Sequence, residues 1–244
     1  LSIFERKIIG NFMKIGVVIF PGTSGDRDLI HVFRNVLEQE VVELWHKDTD
    51  LQNADIIVIP GGFAYGNYLR PGALAKFSPI MESIVAFAKS GGFVLGISNG
   101  FQILCESGLL PGTLLENESM QFVCKNICIL PHGTTTALTA SLDKNRPLKI
   151  PIAHGQGRYY ADKEELARMR INGQILFRYC SEDGLISEVV NPNGSMENIA
   201  GICNEDYNVF GMMPFPERAA DDELGNTDGR LILESLIRFV KGTA

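Results

Sequence analysis

Apolar positions along the first half of the chain fall into short unbroken runs separated by helical periodicity. Residues 15–20 and 56–59 are near-continuous apolar runs of the kind found in strands covered on both faces, and residues 41–45 predict a further strand. Between the first two runs, Leu29, Ile30, Val32, Phe33, Val36 and Leu37 recur at three- and four-residue steps, which predicts a helix with Ser24 or Asp26 as its N-cap. A second helix is predicted over residues 79–89, stopping at Gly91, then a strand at 93–95 and a short helix at 101–106. Strand, helix, strand, strand is the opening of a βαβ sheet. After residue 112 the pattern changes. Shorter apolar stretches at 120–130, 150–153, 175–179, 199–204 and 209–213, separated by Gly, Asn and Pro, predict more strands and a mixed sheet, and a helix over 231–240 closes the chain at Gly242. The fold class is α/β.

Candidate chemistry gathers at the ends of these predicted strands. Gly96-Ile97-Ser98-Asn99-Gly100 reads as strand, tight turn and first helical turn, the place where a nucleophile projects beside backbone N–H groups that stabilise negative charge. Five residues with three fixed decide little alone. The 60–72 loop adds Gly61, Gly62 and Gly66, which permit close backbone approach, together with Tyr65, Asn67, Tyr68 and Arg70. His154 and Glu217 each follow a predicted strand, where open α/β sheets carry their sites. A serine-hydrolase order of Ser98, Asp143 and His154 is available on paper, although Asp143 lies in a polar loop with no strand end to place it.

Composition narrows the classes. The 244 residues, 45% hydrophobic, suffice for one large core, and the formal net charge of −7 with no basic cluster argues against nucleic acid and anionic membranes. Five cysteines at 105, 124, 128, 180 and 203 form no disulfide framework, and Cys124 with Cys128 lacks the second ligand pair of a zinc site, so reduced thiols and no metal are expected in a cytoplasmic protein. No export signal or membrane-length apolar run is present in the sequence. Met13 reads as a native start, residues 1–12 as an upstream or added N-terminal extension, and 13–244 as one domain.

From Met13 to about Val240 the chain resembles the glutaminase subunit of phosphoribosylformylglycinamidine synthase, a class I glutamine amidotransferase family of purine biosynthesis. The resemblance rests on Phe20-Pro-Gly-Thr-Ser-Gly-Asp-Arg-Asp28, Trp45-His46, Pro60-Gly-Gly-Phe-Ala-Tyr-Gly-Asn-Tyr-Leu-Arg70, Leu95-Gly-Ile-Ser-Asn-Gly-Phe-Gln-Ile-Leu104, Pro151-Ile-Ala-His-Gly-Gln-Gly157 and Gly211-Met-Met-Pro-Phe-Pro-Glu-Arg-Ala219. It implies a flavodoxin-like open mixed sheet with central parallel strands and helices on both faces. It further implies a nucleophilic cysteine at position 98, a proton-relay histidine at 215 and its partner Glu217. The backbone of Gly62 or Phe63 and of Asn99 would then form the oxyanion hole, with Gly61 beside it in the substrate-binding set, while Gln102 and the His154 loop help hold glutamine. No cofactor is implied in this chain. ATP and magnesium would belong to a large synthase subunit, and a further partner would be a small accessory subunit.

Against that pattern, the nucleophile position is Ser98 and the relay position is Phe215, while Asn67 stands for an acidic residue and Ser24-Gly25 for an Asn-Cys pair. A serine hydroxyl needs an adjacent base, and phenylalanine neither accepts nor orients a proton, so the resemblance implies a glutaminase site that has lost most of its rate. Natural loss of the site accounts for all four changes together. Deliberate inactivation accounts for Ser98 alone. A non-catalytic docking subunit of the synthase complex is the main alternative reading.

Overall fold

The computed structural model describes residues 12–243, so the expectation for residues 1–11 lies outside the described residues. In chain order the first half holds β1 (Lys14–Ile19), α1 (Asp26–His31), β2 (Glu40–Trp45), β3 (Ile56–Ile59), α2 (Pro79–Lys89), β4 (Phe93–Ile97) and α3 (Asn99–Glu106). The second half holds β5 (Thr113–Leu115), β6 (Val123–Pro131), β7 (Leu148–His154), β8 (Arg158–Tyr160), α4 (Lys163–Ile171), β9 (Ile175–Cys180), β10 (Ile199–Cys203), β11 (Val209–Met212) and α5 (Asp228–Lys241).

Nine strands form one sheet in the order β2-β1-β3-β4-β11-β10-β9-β6-β7, and β5 pairs with β8 apart from it. Strands β2, β1, β3, β4 and β11 are mutually parallel, and every pairing from β11 onward is antiparallel. The parallel part has the flavodoxin-like order, with its switch point at β1. The change of character after residue 112 is therefore a change of strand direction, and the chain returns as β11 to continue the parallel half.

Helices cover both faces. Leu29 and Phe33 of the first helical segment and Leu233 and Leu236 of α5 pack with Ile15, Val17 and Leu95 on one side. Ile80, Ile84, Phe101, Leu104, Leu166 and Met169 pack with Val18, Ile57 and Ile59 on the other. Strand β3 lies between the two layers, which is why all four of its residues are buried and its sequence does not alternate. Strand β6 is exposed from Cys124 to Asn126 and alternates from there on, with Ile127, Ile129 and Pro131 buried and Cys128 and Leu130 half-buried, so its second half reports a half-covered sheet.

Three local expectations change. Neither Ser24 nor Asp26 caps the first helix: Gly25 holds that position without a side-chain cap, and the helix widens into a π-type turn over Val32–Val36. The strand expected to begin at residue 120 begins at Val123, after a turn in which Met120 takes a positive φ of 55°. The pattern also omitted α4 and the β5–β8 pair.

Candidate functional site

Strand β4 ends at Ile97, and Ser98 takes φ 51° and ψ −105° before α3 begins at Asn99. That backbone is costly for a residue with a side chain, by about 1–3 kcal/mol, and the surroundings enforce it. A Cβ at Gly96 would lie 2.6 Å from the Gly100 carbonyl oxygen, and one at Gly100 would lie 1.9 Å from the Ile59 carbonyl oxygen. These two glycines let α3 sit directly on β3 and β4. The Ser98 N–H donates to the Met212 carbonyl at 2.7 Å, fixing the elbow to β11. Among the described residues, no side chain hydrogen-bonds the Ser98 hydroxyl, and Ser98 itself makes no capping bond.

The 60–72 loop stands against this elbow. Asn99 is the link: its Oδ1 accepts from the Ala64 N–H at 2.9 Å, and its Nδ2 donates to Asn67 Oδ1 at 3.2 Å and Gln102 Oε1 at 2.8 Å. Tyr65, Gly66, Asn67 and Leu69 all have positive φ. Such a backbone needs external support. Tyr65 Oη lies 2.8 Å from His46 Nδ1 and 2.9 Å from Ser78 Oγ, and Arg70 makes a bidentate pair with Glu106 at 2.6 and 2.7 Å. The Trp45-His46 motif thus supplies a support for the loop.

Gly62, at φ 140°, faces the chain segment after β1, where Ser24 and Gly25 N–H groups both donate to the Gly61 carbonyl. The Phe63 N–H donates to the Gly22 carbonyl at 2.9 Å and is not free for an oxyanion. The Gly62 N–H makes no backbone hydrogen bond among the described residues. Phe63 instead presents its ring, 52% exposed, at the edge of a cleft of about 480 Å³. Ser98, Gly62, Gln102, His154 and Phe215 all line this cleft, with Met120, Phe122 and Arg218 completing its walls. Gly61 and Glu217 lie behind the lining.

His154 is committed to structure. Its Nδ1 lies 3.0 Å from Asn117 Oδ1 and its Nε2 3.5 Å from Asn193 Nδ2, and burial lowers its pKa to about 4. Asp143 is exposed and accepts from the Asn145 N–H at 2.9 Å in its own turn. The hydrolase order Ser98, Asp143, His154 therefore has no acid on its histidine: Asn117 occupies that place. Gln102 reaches the same wall, donating through Nε2 to the Gln156 carbonyl at 2.6 Å.

Position 215, where the resemblance implies a relay histidine, holds an aromatic ring. The Phe215 ring lies against Gly61, where a Cβ would approach its Cε1 to 2.5 Å, and the Arg218 guanidinium sits 4.2 Å from the ring centroid. Arg218 is held in turn by Asp28 at 3.0 Å. Behind the ring, Glu217 is 1% exposed, and neither carboxylate oxygen has a hydrogen-bond partner among the described residues. Burial pushes its pKa up to about 8, only partly opposed by the neighbouring Arg218 charge. At neutral pH this carboxyl is largely protonated.

Sequence reasoning missed Asn117 and Asn193, which hold His154, and the cleft walls contributed by Met120, Phe122 and Arg218. Asn117 and Asn193 lie 37 and 39 positions from His154. No local pattern joins three such segments. Arg218 belongs to the 211–219 motif, and its place beside Glu217 was the signal that could have found it.

Residues 13–229 match the family model of the CobB/CobQ-like glutamine amidotransferase domain. The phosphoribosylformylglycinamidine synthase subunit PurQ of Koribacter versatilis is 54% identical over 225 residues, 92% of this chain and 97% of the relative. That of Salinibacter ruber is 50% identical over 227 residues, 93% of this chain and 97% of the relative. Among solved structures, a chain from the structure of PurLQS from Thermotoga maritima superposes with a TM-score of 0.83 at 37% identity, covering 94% of this chain and 99% of that one. A glutamine amidotransferase from Thermotoga maritima, at 16% identity and TM-score 0.52 over 95% of this chain and 94% of that one, shares the fold. The elbow, the glycine-rich loop and the flavodoxin-like half-sheet are thus found in a chain that belongs to the glutamine amidotransferase family, among relatives named as PurQ subunits of phosphoribosylformylglycinamidine synthase.

Proposed function

We propose that this chain serves as the glutaminase-type subunit of a phosphoribosylformylglycinamidine synthase assembly, and that with Ser98 and Phe215 it hydrolyses glutamine negligibly. The observation that carries the second half is the unpartnered carboxyl of Glu217. A relay needs an imidazole between the nucleophile and the acid, and in this reading position 215, which lines the cleft with Ser98, offers a ring without a polar atom instead. Among the described residues no base is hydrogen-bonded to the Ser98 hydroxyl, and the imidazole that lines the cleft, His154, is bound at both ring nitrogens. In this reading the elbow backbone, the N–H groups of Gly62 and Asn99 and the Gln102 side chain would receive a glutamine side-chain amide.

The partner would be a large ATP-using synthase subunit, which would carry ATP and magnesium, with a small accessory subunit beside it, all in the cytoplasm. Support for docking comes from the 60–72 loop, which exposes Tyr68 (69%) and Leu69 (77%) next to Phe63. Among the described residues no helix is long and apolar enough to cross a membrane.

Ammonia release from glutamine by the purified chain tests the catalytic half, and a rate near background is expected. A rate typical of a working amidotransferase would overturn it. The double variant Ser98→Cys with Phe215→His is expected to restore measurable hydrolysis, because it supplies both the thiol and the imidazole in front of Glu217. A folded but inert double variant would show that the loss extends beyond these two side chains. Co-purification with a large synthase subunit tests the docking half independently.

A further inference from the structure

Cys128 and Cys180 are register partners on the antiparallel strands β6 and β9, so their side chains leave the same face of the sheet. The phase of this ladder is readable. The His132 N–H donates to the Leu176 carbonyl, one step beyond the Pro131 and Phe177 pair, and proline, which has no N–H, falls at a position that needs no donor. Counting back without a bulge, Leu130 with Arg178 and Cys128 with Cys180 are hydrogen-bonded pairs. At such positions facing Cβ atoms stand about 5.5 Å apart, whereas a disulfide requires about 3.5–4.5 Å. The two sulfurs face each other across a gap too wide for a direct bond.

On that face Cys128 is half-buried and Cys180 is buried. Both cysteines line one surface pocket of about 360 Å³, together with Lys125, Lys149, Glu182 and Val190. Cys124, the nearer cysteine in sequence, sits exposed four residues along β6, about 13 Å away at strand rise, and its own register partner is Ala153. It cannot share a ligand with Cys128.

We propose that Cys128 and Cys180 form a two-thiol site for one bridging thiophilic atom, of the chemical class of trivalent arsenicals. A monosubstituted arsenic oxide would form two As–S bonds. Its oxygen would leave as water with the two thiol protons, and no electrons would be exchanged. Burial raises the pKa of both thiols, that of Cys180 to about 12, so they stay protonated and slow toward reagents that take a single thiolate. Chelation by the pair is the distinguishing chemistry.

The probe is phenylarsine oxide, added to the full chain and read by intact mass after removal of excess. One adduct per chain is expected in the parent protein and in Cys124→Ser, stripped by 2,3-dimercaptopropanol and lost in Cys128→Ser, whose half-buried position tolerates a hydroxyl. A parent chain without an adduct, or an adduct that persists in Cys128→Ser, would overturn the site. Should Cys128→Ser fail to fold, alkylation of Cys128 in the parent chain gives the answer: protection by the arsenical supports the pair and its absence rejects it. Ready formation of a Cys128–Cys180 disulfide with dilute peroxide would likewise refute the spacing.

Discussion

Glu217 separates what the sequence says from what the fold does to it. Beside Arg218 it reads as half of an ordinary surface pair, yet Arg218 turns to Asp28 and the Phe215 ring while the Glu217 carboxyl is sealed behind them. Its pKa, ordinarily near 4.5, is pushed up to about 8, so the folded protein holds a proton that the unfolded chain releases between those values. The stability associated with this proton is complete below about pH 4.5 and is lost as pH rises through 8. At 1.36 kcal/mol per unit the penalty at high pH is on the order of 5 kcal/mol. Glu217→Gln should therefore raise the melting temperature by several degrees at pH 9 and give no gain at pH 5. Equal shifts at the two pH values would show that the carboxyl is solvated. Phe215→His should shrink the pH dependence as well, because an imidazole offers the carboxylate a donor. The apolar ring at 215 was legible from sequence; the burial of Glu217 was not, since burial is a property of packing.

Among the elements, legibility followed the amount of apolar surface each one buries. Helix α2 shows its periodicity because Ile80, Met81, Ile84 and Ala88 all face the core, and the sequence expectation of residues 79–89 matches its ends. Helix α4 buries only Leu166 and Met169, so periodicity passes over it. It did carry a capping signal, Asp162 with Glu165 three residues later, and Asp162 Oδ1 accepts from the Glu165 N–H at 2.8 Å. Asp162→Ala should cost about 1 kcal/mol, measurable as a lower denaturant midpoint at an unchanged slope. Gly100 raises a larger demand. Because a Cβ there would meet the Ile59 backbone, Gly100→Ala must push α3 from the sheet and should destabilise by about 3 kcal/mol or more, with loss of soluble yield. A neutral result would mean that α3 does not sit on β3 as described.

At the scale of the whole molecule, the strands were legible and their order was not. The first four parallel strands follow from buried apolar runs and a right-handed crossover preference, but nothing local announces that β11 inserts between β4 and β10, or that β6 pairs with β9. That insertion matters to the site, because the loop after β11 carries Phe215, Glu217 and Arg218 to the elbow after β4. The family motifs had already grouped Ser98, Gly62 and Phe215, whereas the asparagine frame of His154, drawn from residues 117 and 193, depended on the antiparallel half.

The Asn99 side chain, bonded to Ala64, Asn67 and Gln102, ties two segments 35 residues apart in sequence. One consequence lies in time and not in shape. Segments joined by a shared buried amide open together, so the amide hydrogens of the 60–72 loop and of the first turn of α3 should exchange with solvent in one correlated event. Asn99→Ala should separate them, speeding exchange in the loop by at least about tenfold while α2 keeps its protection. Independent exchange in the parent protein would mean that the elbow and the loop already move apart on their own.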